Sequence, residues 1–218
     1  MVEFGCIPID MISNLHPEKH HKLKMKAIED IKEIVTVKSN HTLIQNHTSN
    51  FMAFLSKVIR DTNNNVVAST ISLMNDFIKA DTSIVSKLQI DDMVPMMIQK
   101  IGDSNPNVWT EATNFFAIIH SALESKPFIN LILPYLTMSS LQYKEEILSC
   151  LQPAITPDSL KSMSQFEQKK LKDVLKKVKE QDKKMRAKQM AAIMTKQIED
   201  ITDEPSIAST TTKKRRKA

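Results

Sequence analysis

A chain of 218 residues with 41% apolar content can bury a sizeable core, yet it contains only two glycines, Gly5 and Gly102. Phosphate loops, dinucleotide fingerprints and nucleophile elbows need glycine where backbone turns tightly or approaches a ligand, so they are excluded, and folds rich in tight hairpins are disfavoured. The formal charge of +5 divides unevenly: residues 1–157 carry 13 Lys/Arg against 16 Asp/Glu, whereas residues 158–218 carry 17 against 9.

In chain order the pattern is helix after helix. Pro17 suits a first helical position, and the following stretch places Leu23, Ala27, Ile28, Ile31, Ile34 and Val35 at helical spacing. Phe51, Phe54, Leu55, Val58 and Ile59 form the next stripe. Val66, Val67, Thr70, Ile71, Met74, Phe77 and Ile78 form a third, wide enough to meet two neighbours. A further pair begins near Leu88, with Pro95 predicting a kink or a late start and Gly102 a stop. Asn105 is the expected cap of the next helix, with Pro106 at its first position. Residues 126–136 and 139–151 make a shorter pair.

One turn is written twice. Asp61-Thr62-Asn63-Asn64-Asn65-Val66 is matched forty-two residues later by Asp103-Ser104-Asn105-Pro106-Asn107-Val108. Helix pairs repeating about every forty residues are the mark of HEAT-type solenoids, in which each pair buries its apolar face only by stacking on the next. The expected fold is therefore an all-α solenoid of three to four pairs over 1–157. Pro153 and Pro157 close it; a single long basic helix over 158–202 and a disordered basic tail over 203–218 follow.

Cys6 and Cys150 make no metal or disulfide pattern. His16, His20 and His21 cluster, but no further ligand fixes a geometry around them, so neither a metal nor any other cofactor is expected. No Ser/His/Asp or Cys/His set is recognisable, and an enzyme is not expected. No signal peptide or membrane-spanning run is read, which points to a reducing interior and leaves the sequons at Asn40 and Asn46 unused. Trp109, beside Val108, is expected to pack between repeats.

The stretches AIEDIKEIV, NFMAFLSKVIRDTNNNVV and IQKIGDSNPNVWTEA resemble TOG domains, the HEAT-repeat modules of microtubule polymerases, CLASP-type proteins and crescerin-type ciliary array proteins. The resemblance covers roughly residues 7–152. It implies that the turns inside successive pairs line up along one edge and contact tubulin. His21 then stands where the family has Trp, with Lys22 and Lys24 keeping the basic charge. Asn63 and Asn65 fall in the second turn, Asn105 and Asn107 in the third, and Lys144 in the fourth, which spans Ser140 to Lys144. Two departures stand out: the later turns lack the family's usual basic residues, and a TOG domain has about six pairs.

The expected function is thus non-enzymatic binding of tubulin or the microtubule lattice, in the cytoskeleton of a ciliary axoneme or centriole, with other axonemal or centriolar proteins as further partners. Lys169, Lys170, Lys172, Lys176, Lys177, Lys183, Lys184 and Arg186 on the basic segment would assist by attraction to an acidic surface. A HEAT-type protein adaptor, sent to the nucleus by KKRRK at 213–217, is the alternative. Nucleic acid is disfavoured because the basic tail lacks stacking aromatics and the body is net acidic.

Overall fold

The computed structural model describes residues 1–87, 90–138 and 143–203, apart from the side chains of His41, Ser86, Lys87, Asp91 and Asp203. It opens on a feature the apolar periodicity does not announce, a minimal hairpin of β1 (Val2–Glu3) and β2 (Ile7–Pro8) in antiparallel register, Val2 opposite Pro8 and Glu3 opposite Ile7. Phe4 and Gly5 turn it with φ of 51° and 88°. A side chain at Gly5 would also meet the Leu43 carbonyl oxygen at 2.4 Å, so glycine is required here on two grounds. The hairpin seats Phe4 against Phe51 and Phe54 and closes this end of the core.

The rest is helical. α1 (Ile9–Asn14) and α2 (His21–Thr36) form the first pair. α2 starts four residues later than Pro17 suggested, because the His20 side chain accepts from the Lys22 N–H and caps it. α3 (Lys38–Gln45) is a short unpredicted helix leading to the second pair, α4 (Thr48–Val58) and α5 (Asn64–Ala80). The third pair is α6 (Ile90–Ile101) and α7 (Pro106–Leu123); α6 runs through Pro95 and ends at Gly102. The fourth is α8 (Ser125–Leu136) and α9 (Lys144–Leu151). α2, α5 and α7 pack side by side, α5 between the other two, which accounts for its broad buried stripe.

The solenoid class holds, but the single helix expected over 158–202 does not form. In its place stand α10 (Pro157–Ser162), α11 (Gln165–Gln181) and α12 (Met185–Asp203). Ser164 and Glu167 form a capping box that starts α11, and Asp182 begins the turn to α12 by accepting from the Lys184 N–H at 2.8 Å. α11 and α12 fold onto each other as a fifth helix pair among the described residues, α11 lying on α8 and α12 on α9. Leu171, Leu175, Met194 and Ile198 are fully buried, and the buried cluster runs unbroken from Ile7 to Ile198. Ala187 and Ala191, also fully buried, let α12 approach closely. The expected disordered tail, from Glu204 on and including KKRRK, lies outside the described residues, as do Ser140, Leu141 and Gln142 of the fourth turn.

Candidate functional site

The two matching turns fold alike. Asp61 Oδ1 accepts from the Asn63 N–H at 2.8 Å, and Asn63 Oδ1 accepts from the N–H groups of Asn65 and Val66 at 3.0 and 3.4 Å. Asp103 and Asn105 repeat this at 2.9, 3.0 and 3.3 Å. Each Asp shapes the turn and each Asn satisfies orphan N–H groups of the helix that follows. Asp182 plays the Asp part again in the turn between α11 and α12.

Side chains then tie the first turn to the second and the third to the fourth and fifth, while Asn75 of α5 donates to Glu111 of α7 at 3.0 Å between those sets. The Lys24 ammonium donates to the Pro17 carbonyl at 2.9 Å and to Asp61 Oδ2 at 2.6 Å, joining the first turn to the second. Gly102, in the third, lies directly under the Tyr143 ring at the start of α9: a side chain there would come within 2.0 Å of it. Lys144 pairs with Asp182 at 3.6 Å, joining the fourth turn to the fifth, and Arg186 reaches Glu145 at 3.6 Å. α2, α5, α7, α9 and α12 therefore all begin along one edge, bringing the positive ends of their dipoles to the same side.

The expected site residues fall into two groups. Lys24 is buried and Lys144 nearly so, both engaged in the ion pairs above, and Asn63 and Asn105 are half-buried caps; these four hold the turns. His21, Lys22, Asn65 and Asn107 are exposed, with the His20 and His21 rings in tilted contact at 4.1 Å between centroids. Trp109 does not pack between repeats: it is 42% exposed, one turn into α7 and beside Asn107. On the basic segment Lys169, Lys170, Lys176 and Lys177 line the open face of α11, while Lys172 is half-buried and donates to Thr202 at 3.1 Å. Lys183, Lys184 and Arg186 are exposed in and just after the fifth turn, so they extend the edge instead of projecting from a free helix.

Burial pushes the Asp61 carboxyl upward, but the Lys24 ammonium and the Asn63 N–H outweigh it and hold the group below the ordinary carboxylate range. Burial and the nearby Glu146 charge push the Cys150 thiol up to about 12, which makes it a poor nucleophile. His120 and Ser125 touch at 3.0 Å, yet no acid hydrogen-bonds His120 among the described residues. No group of three or more His, Cys, Asp or Glu side chains among those residues could hold a metal ion. No described helix is long and apolar enough to cross a membrane. The chemistry on offer at the edge is a polar, cationic rim that also carries the exposed Trp109 ring.

No protein-family model matches the chain, and no curated protein matches it. Solved structures do. One is a structure of crescerin, which uses a TOG domain array to regulate microtubules in the primary cilium; it matches with a TM-score of 0.69 and 15% identity over 92% of this chain and 80% of that one. Another belongs to work in which TOG–tubulin binding specificity promotes microtubule dynamics and mitotic spindle formation; it matches with a TM-score of 0.69 and 15% identity over 91% and 78%. At this identity the likeness is one of fold: the chain is an all-α HEAT-repeat solenoid with the architecture of a TOG domain.

Proposed function

We propose that this protein binds tubulin, free or in the microtubule lattice, through the edge formed by its intra-pair turns, and that it acts by binding without catalysis. The observation that carries the reading is the cross-tied edge itself. Lys24–Asp61 fixes the first turn to the second, Tyr143 on Gly102 and Lys144–Asp182 fix the third, fourth and fifth, and α5 packed on α7 joins the two sets, while His21, Lys22, Asn65, Asn107, Trp109, Lys183 and Lys184 stay free at the surface. Preset turns lose little entropy on docking, and cations along the rim suit an acidic partner. Lys169, Lys170, Lys176 and Lys177 on α11 run from the fifth turn away from the edge and add attraction to any acidic segment that lies along it. The likeness to crescerin, which acts in the primary cilium, favours a ciliary setting, and the proposal extends to an axoneme or centriole with other proteins of those structures as partners.

The test is gel filtration of the chain with unpolymerised tubulin, beside co-sedimentation with microtubules. Co-elution or co-pelleting is expected. Migration alone in the first and retention in the supernatant in the second would favour the protein-adaptor alternative.

A further inference from the structure

A hollow of about 660 Å³ lies between the first two helix pairs, next to the turn edge. Its apolar surface comes from Ile12, Leu15, Phe54 and Val58, and the turn residues Pro17, Asp61 and Thr62 contribute to its wall. That size is within the range of pockets that take up a bulky side chain or a small ligand. Its charge is one-sided. Lys24 is neutralised by Asp61, and His16 lies against Glu18. Lys57 and Arg60, on the last turn of α4 and just beyond it, are exposed and have no acidic partner among the described residues. Asp92 faces the same two cations only across the smaller hollow on the other flank of α4.

We propose that this hollow is a second, separate recognition site for a short acidic peptide segment carrying one bulky apolar residue. The apolar residue enters between Leu15, Phe54 and Val58, and flanking carboxylates meet Lys57 and the Arg60 guanidinium, whose fork donates two parallel hydrogen bonds to a carboxylate. A peptide fits the position better than an isolated small molecule, because a protein seated across the first two turns passes over the hollow. The inference deepens the edge reading by giving the partner a flexible acidic segment to insert, but its test does not depend on tubulin.

The probe is a fluorescent synthetic peptide with one phenylalanine flanked on each side by two glutamates, titrated into the full chain by fluorescence anisotropy, with methyl NMR of Leu15 and Val58. Saturable binding is expected, with both methyls shifted. Lys57→Glu with Arg60→Glu should weaken it at least tenfold at unchanged thermal unfolding, and so should alanine in place of the peptide's phenylalanine. The site is overturned if the peptide does not bind, if the double variant binds it equally, or if lysine-flanked or alanine-bearing peptides bind as well. If the peptide seats as described while tubulin fails to bind, the edge reading falls and the site stands.

Discussion

Lys24 and Asp61, thirty-seven residues apart, meet at 2.6 Å with side chains only 5% and 11% exposed, and this contact locks the first turn to the second. Breaking such a pair from one side leaves a partly buried carboxylate uncompensated on the wall of the hollow. Lys24→Met should therefore cost about 1–3 kcal/mol of unfolding free energy. Adding Asp61→Leu should recover much of the part due to the stranded charge, though not the turn hydrogen bond to Asn63. Denaturant unfolding of the two single variants and the double variant measures the coupling.

The same pair gives a pH signature. The Asp61 carboxyl is held below its ordinary value in the folded state, and hydrogen bonds from Ser164 together with Lys126 hold that of Glu167 down to about 2. A depressed folded pKa contributes stability above the unfolded value, and that stability is lost as pH falls through the folded one. Thermal stability should fall as pH drops from about 5 towards 2. Lys24→Met should flatten the part of that slope due to Asp61, because burial then dominates and the carboxyl no longer prefers to ionise.

Gly102→Ala should lower stability by about 1–3 kcal/mol, the cost of forcing a side chain into a filled space. The added carbon would lie 2.0–2.4 Å from three Tyr143 ring atoms, so the ring must move. Pairing it with Tyr143→Ala should make the glycine substitution nearly silent. Calorimetric melting of the set distinguishes a steric conflict at the turn from a general effect on the α6 terminus.

The basic segment cannot be removed cleanly. Leu171, Leu175, Val178, Met194 and Ile198 are essentially buried, and burial of such a side chain contributes about 1.5–3 kcal/mol. Their sum rivals a typical net stability of about 5–15 kcal/mol. A chain ending at residue 157 should thus lose cooperative unfolding, which circular dichroism melting would show. The charge contribution is tested instead by changing Lys169, Lys170, Lys176 and Lys177 to Glu. Lattice binding should weaken most at low ionic strength, with the gap closing as salt rises.

Much of this was legible in the residues, for identifiable reasons. The Asp-x-Asn turns and their caps announce themselves because the same side chains must satisfy the same backbone groups at each repeat. The fifth pair was hidden because Asp182-Lys183-Lys184 contains neither glycine nor proline. The clue lay in phase: buried Val178 and buried Ala187 are nine residues apart, two and a half turns at 3.6 residues each, so the buried stripe of one continuous helix would have switched sides. Met185 and Ile193, apolar residues of the same segment, are 67% and 58% exposed. The internal work of Lys24 and Lys144 was illegible, since their partners come from turns distant in sequence. Trp109 was misplaced for a related reason: its neighbour Val108 is the residue that fills the core.

That the turn edge is the tubulin-binding surface is tested most directly by a triple variant, Lys22→Glu, Lys183→Glu and Lys184→Glu, at positions exposed at opposite ends of the edge and free of ion pairs among the described residues. Affinity for unpolymerised tubulin, measured by labelled-chain anisotropy, should fall at least tenfold, about 1.4 kcal/mol. Thermal unfolding should stay within about 0.5 kcal/mol per site of the parent. A folded triple variant that binds tubulin as tightly as the parent would contradict the assignment of the edge.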